Sequence, residues 1–136
     1  MNFNSRQFTA RLSSLGEVLT HTAAICREAG LNKDEQLKAE LVIEELFTNS
    51  VCHGYGRDCD EPVWIAAENN DGNLCITYQD AAHAYNPLTR PVVTDVPEIG
   101  GLGVTLVERY ARPRYSLVNG RNTLLLSFLP PNKSNL

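Results

Sequence analysis

The sequence predicts an α+β fold in one domain, a two-layer sandwich in which an antiparallel or mixed sheet is covered on one face by helices. Apolar residues recur at helical spacing in two early runs, from Ser14 to about Ala29 and from Asn32 to Tyr55. Two pairs of short strand-like segments follow, each joined by a hairpin signal, Asp71-Gly72 in the first and Asn119-Gly120 in the second. A third helix is predicted between the pairs.

The elements follow in order. Gln7 to Leu12 alternates weakly and reads as a first strand, and Ser14, with Glu17 three residues on, is a capping signal for the first helix. That helix places Leu15, Val18, Leu19, Thr22, Ile25 and Cys26 on one side and stops at Gly30. Asn32 caps the second helix, with Glu35 in the box position. Its apolar residues are Leu37, Leu41, Ile43, Leu46, Phe47, Val51 and Cys52, and it ends near Gly54 and Gly56. Tyr55 to Pro62 is a polar loop, followed by strands from Val63 to Glu68 and from Leu74 to Tyr78. Asp80 to Ile99 has no periodicity and contains Pro87, Pro91 and Pro97, the pattern of a lid or a disordered loop. Gly100, Gly101 and Gly103 then precede a helix from Val104 to Tyr110, which Pro113 stops. Strands from Tyr115 to Val118 and from Thr123 to Leu129 close the domain, and Pro130 to Leu136 reads as a frayed tail.

Composition narrows the functional classes. The 136 residues are 43% hydrophobic and 21% charged, ordinary for one globular domain with a core of its own. A net charge of −4 and the absence of any Lys/Arg cluster argue against a nucleic-acid surface. No window approaches the ~20 apolar residues of a membrane span, and the first residues hold no signal-peptide run. The expected location is cytoplasmic. Cys26, Cys52, Cys59 and Cys75 fit no zinc template and read as buried hydrophobes or surface thiols.

Three stretches carry candidate chemistry. On the second helix Glu45, Asn49 and His53 are four residues apart and share a face. Asn is a mediocre helix former, so Asn49 calls for a reason. Its side-chain oxygen suits a hard cation such as Mg²⁺, and Glu45 one turn away suits a general base; a plain polar stripe is the other reading. Asp80 ends a predicted strand, where its carboxylate can accept from an exocyclic amine such as that of adenine or simply favour a turn. Gly100, Gly101 and Gly103 open a helix, a setting that brings backbone amides to phosphate oxygens or serves as a hinge.

In this order the stretches resemble the nucleotide-binding boxes of the GHKL (Bergerat-fold) ATPases: ExxxN at Glu45 to Asn49 with HGY at His53 to Tyr55, then DAAHAYNP from Asp80, then GGLGVTLVER from Gly100. The short chain and its RNTLLLSF ending are most similar to the anti-sigma-factor serine kinases, and the resemblance runs from about Phe8 to Leu129 within a single 1–136 domain. It implies ATP and Mg²⁺ as cofactors, with Asn49 as metal ligand and Glu45 as the base toward an acceptor serine. Asp80 would read adenine beside Ala82, Gly101 and Gly103 with the following helix amino terminus would hold the phosphates, and Thr105 would place a hydroxyl near the nucleotide. His53 reads as a structural residue at the helix end. The implied partners are a sigma factor or similar target and an anti-sigma-factor antagonist of STAS type as substrate. The resemblance also suggests a homodimer through the first strand or helix.

One departure bears on all of this. The family's DxG box is Asp80-Ala81-Ala82 here, and an alanine forced to positive φ would cost about 1 kcal/mol or crowd the base. An alternative function is therefore a non-catalytic module of the same fold that sequesters a protein with weakened or lost ATP binding. Tyr85, Asn86 and Pro87 still follow the pattern of the relatives.

Overall fold

In the computed structural model, residues 2–70, 72–83, 87–88 and 106–128 are described, with side chains from Ser5 onward. Strand β1 (Asn2–Thr9) leads through a short 3-10 turn into helix α1 (Leu15–Glu28), and helix α2 (Lys33–Asn49) follows. Strands β2 (Pro62–Asn70) and β3 (Asn73–Asp80) form the first hairpin, and β4 (Arg112–Val118) and β5 (Arg121–Phe128) the second. Residues 106–110 are helical, which agrees with the helix predicted there. The five strands lie in the order β1-β2-β3-β5-β4, and every neighbouring pair is antiparallel. An α+β sheet is thus realised in its antiparallel form.

Alternation along the strands decides which face is covered. Val63, Ile65 and Ala67 of β2, Leu74, Ile76 and Tyr78 of β3, and Leu124, Leu126 and Phe128 of β5 all point into the core. Against them pack Val18, Ile25 and Cys26 of α1 and Ala39, Val42, Ile43, Leu46 and Phe47 of α2. The opposite face is polar and aromatic. There the Arg121 guanidinium lies 3.5 Å above the Trp64 ring, and Gln79 Nε2 donates to Thr123 Oγ1 at 3.0 Å.

The turns follow the chemistry of their residues. Asn119 and Gly120 both have positive φ, 52° and 78°, as a two-residue hairpin loop requires. Asn32 caps α2 through its side-chain oxygen, which accepts from Glu35 N at 2.8 Å. Ser14 is different. Its hydroxyl makes no cap bond to α1 and instead lies 3.0 Å from Thr9 Oγ1, tying β1 to the helix start.

Several expectations are corrected. The first strand spans residues 2–9 and has ended before Leu12, because Arg11 N turns back onto the Thr9 carbonyl and Leu12–Ser14 form a 3-10 turn. Leu37 and Leu41 are 48% and 45% exposed and Cys52 is exposed, so only part of the proposed apolar set of α2 is core. The second hairpin already begins at Arg112, so Pro113 lies inside an edge strand, where its missing N–H is tolerated.

The single long helix to Tyr55 is also corrected. After Asn49 the winding opens into a π turn, Ser50–Gly54, closed by Tyr55 N donating to the Ser50 carbonyl at 2.8 Å. A π turn bonds residues five apart and so breaks the four-residue spacing of the helix face: Gly54 is buried while His53 faces solvent. Glu45, Asn49 and His53 therefore do not form one continuous stripe.

Packing separates the thiols. Burial pushes the Cys26 thiol up to about 12, aided by the charge of Glu40, whereas Cys52 is exposed. Since the thiolate is the reactive form, brief alkylation of the native protein should label Cys52 and spare Cys26 until denaturant is added. Peptide mass spectrometry checks this, and equal native labelling of the two would contradict the packing of α1.

Candidate functional site

Asp80 ends β3 on the inward face, so alternation directs its carboxylate into the core and leaves it 2% exposed. A buried carboxylate is unfavourable unless donors surround it. Here they come from three segments. Ser50 Oγ, in the π turn, donates to Asp80 Oδ2 at 2.7 Å. Asn122 Nδ2, on β5, donates to Oδ1 at 2.8 Å, and Ala82 N closes a local turn on the same oxygen at 3.2 Å.

A second layer holds these donors. The Tyr78 hydroxyl lies 2.7 Å from Ser50 Oγ and 3.0 Å from the Leu46 carbonyl, joining β3 to α2. With the Ser50 proton directed to Asp80, the Tyr78 proton is left to Ser50 Oγ or to Leu46. Asn122 Oδ1 accepts from the Tyr115 hydroxyl at 2.7 Å. Tyr55 accepts from Ala81 N and donates to the Pro62 carbonyl, both at 2.7 Å. Burial raises the Tyr55 phenol to about 12, so it stays neutral and serves both bonds at physiological pH. Burial also raises the Tyr115 phenol, as does the charge of Asp80.

A cavity opens beside this network, lined by Leu46, Ser50, Tyr78, Asp80, Pro87, Asn122 and Leu124. Its volume of about 10 Å³ is that of one water. The site residues expected from the sequence divide around it. Asn49 is buried at 6% and directly precedes Ser50, and Glu45 lies half-buried one turn earlier on α2. Ala82 is buried at 6% beside Asp80. Gly101, Gly103 and Thr105 lie outside the described residues, as do Gly100, Tyr85, Asn86 and the tail from Pro130.

The strain expected at Ala82 is absent. Asn119 is the one non-glycine with positive φ among the described residues, so Ala82 adopts an ordinary backbone conformation. Its turn is held by hydrogen bonds to Asp80 and Asn122.

Ser50, Tyr78, Asn122 and the Tyr55 hydroxyl were not singled out from the sequence. Asn122 left a trace, because Asn is depleted in strands and this one shares a face with Leu124 and Leu126. Tyr78 precedes Asp80 by two residues and so shares its face. No local pattern reports that β5 pairs with β3 and sets Asn122 directly opposite Asp80.

Over residues 8–128 the chain matches the histidine kinase-like ATPase domain family. The anti-sigma F factor of Heyndrickxia coagulans is 30% identical over 110 residues, 76% of this chain and 75% of the relative. The chain belongs to the histidine kinase-like ATPase domains, in their anti-sigma-factor branch. Another such ATPase-domain relative, the anti-sigma F factor of Geobacillus thermodenitrificans, is 28% identical over 109 residues with the same shares. That of Bacillus velezensis is 30% identical over 82 residues, 57% of this chain, and the match spans 56% of its own length. The structure of the RsbU and RsbW domains of a Mycobacterium tuberculosis protein superposes with a TM-score of 0.62 at 19% identity. That superposition covers 92% of this chain and 32% of the other, and it shows the common fold. Among the described residues of this ATPase-type domain, no helix is long and apolar enough to cross a membrane.

The buried network yields a stability prediction. Ser50→Ala leaves Asp80 Oδ2 without its hydroxyl donor and should destabilise the fold by about 1–3 kcal/mol in urea unfolding. Combined with Tyr78→Phe, the loss should be less than additive, because the two hydroxyls belong to one chain of bonds. Strict additivity would show that the hydroxyls act separately.

Proposed function

We propose that this chain is an ATP-binding anti-sigma regulatory factor that transfers phosphate to a serine of an antagonist protein. The observation that carries the reading is the Ser50–Asp80 hydrogen bond. It joins the α2 end that bears Glu45 and Asn49 to the β3 end that bears Asp80, two motifs 30 residues apart in sequence.

The residues present suit the nucleotide and its metal. Asn49 offers a carboxamide oxygen, the ligand type that Mg²⁺ accepts. Among the described residues no three His, Cys, Asp or Glu side chains form a cation cage, so the metal would draw its remaining ligands from phosphates and water. Asp80 offers a buried, oriented acceptor for the exocyclic amine of adenine. The cavity beside it is about 10 Å³, so entry of the ring requires its lining to open. When bound, Mg²⁺-ATP supplies the phosphoryl group and neutralises the charge that develops during transfer.

The chain's own contribution is positional. Asn49 holds the metal, Asp80 orients the base, and Glu45 takes the proton of the acceptor serine. Phosphate contacts are assigned to Gly101 and Gly103, a hydroxyl near the nucleotide to Thr105, and a place beside the base to Ala82. A sigma factor as the sequestered target fits the names of the relatives, and a STAS-type antagonist as substrate belongs to the same reading. A homodimer through β1 or α1 belongs to the same reading, since β1 is an edge of the sheet and Leu12 beside it is 46% exposed. A cytoplasmic location completes it.

Calorimetric titration with ATP and Mg²⁺ tests the site. Saturable heat is expected for the native protein, with at least about a tenfold loss of affinity in Asn49→Ala. No heat at millimolar ATP would instead favour the sequestering module without nucleotide. For the chemistry, Glu45→Ala should retain ATP and lower phosphotransfer by about 10²–10⁴-fold. An undiminished rate would remove Glu45 from the role of base.

A further inference from the structure

Asp80 can select a base only if its carboxylate points in a fixed direction, because hydrogen bonds weaken steeply as they bend. Two side chains to which no role has yet been given hold the turn that follows it. From β5, Asn122 Nδ2 donates to Asp80 Oδ1 at 2.8 Å and also lies 3.2 Å from the Ala82 carbonyl and 3.3 Å from the His83 carbonyl. From the far end of the π turn, the Tyr55 hydroxyl accepts from Ala81 N and donates to the Pro62 carbonyl at the start of β2. The backbone of residues 81–83 is thus gripped from both sides.

The orientation of the amide follows from its partners. Its oxygen faces the Tyr115 hydroxyl, a donor, and its nitrogen faces three oxygen acceptors. A flipped amide would set an oxygen against the Asp80 carboxylate. The register supports the same placement, since Asn122 and Asp80 are cross-strand partners and Val63, one residue after Pro62, pairs with Asp80 from the other side.

We propose that Tyr55 and Asn122 are positioning residues for base recognition, fixing the 81–83 turn and the direction of the Asp80 carboxylate, and thereby setting the preference for a purine with a six-position amine over one with a carbonyl. This rests on the assignment of Asp80 to the base. A carbonyl in that place would face the carboxylate oxygen to oxygen, so a fixed carboxylate rejects it, whereas one free to turn loses both attraction and rejection. Ordinary backbone at Ala82 fits this device, because the turn is held by side-chain bonds and needs no glycine.

The test compares ATP with inosine triphosphate, each with Mg²⁺, by calorimetry on the full chain. The native protein should prefer ATP by about tenfold or more. Tyr55→Phe keeps the ring and removes the hydroxyl, and it should weaken ATP about tenfold while leaving inosine triphosphate within about twofold. Asn122→Ala should do the same, and Tyr55→Phe suffices if the Asn122 variant fails to fold. Equal losses for both nucleotides would reduce the pair to a structural role and overturn the proposal, as would an unchanged preference in folded variants. A native protein that binds ATP without preference would overturn the role of Asp80 in reading the base, and the clamp with it. Nucleotide lost in Asn49→Ala but preference kept in Tyr55→Phe would sink the clamp alone.

Discussion

A carboxylate that is 2% exposed is the constraint around which the described part of this domain is arranged. Left without donors, such a group would oppose folding by several kcal/mol, so the elements that supply donors must arrive together. Asp80 draws on the π turn after α2, on β5 and on its own turn. Its neighbours in turn need partners, which extends the requirement to Tyr78, Leu46 and Tyr115. One buried charge thereby fixes the relation between the helix layer and the centre of the sheet.

The same constraint makes sense of the break in α2. A continuous α-helix would carry the Glu45 and Asn49 face on to His53, which is exposed in the structure. Opening to a π turn after Asn49 buries Ser50, Val51 and Gly54 and delivers the Ser50 hydroxyl to Asp80. The turn ends at Tyr55, whose hydroxyl reaches the backbone beyond Asp80. Irregular winding at this point lets one helix end bury Asn49 and deliver the Ser50 hydroxyl to Asp80.

The alanine in the box after β3 reads differently once its surroundings are known. As a letter in the sequence, Ala82 predicts strain if the turn needs left-handed backbone. The chain avoids that need, because Asp80 and Asn122 bond to the amide and carbonyl of Ala82 at an ordinary φ. Alanine at this position therefore brings no backbone strain.

By itself the sequence determined the main elements and their order, though not all of their bounds. Helical spacing gave α1 and α2, Asn119-Gly120 gave the second hairpin with both residues at positive φ, and Asn49 stood out as a poor helix former on a helix face, with Glu45 one turn away and Asp80 at the end of a strand. These are local properties, carried by residues within a few positions of one another. Tertiary structure decided the rest: which strands pair, that Asn122 stands opposite Asp80, that Ser50 and Tyr55 reach it from the π turn, and that Leu37 and Leu41 face solvent. The physical reason is range. A turn or a cap is set by its own neighbours, whereas the partner of a buried polar group is chosen by the packing of segments that are remote along the chain.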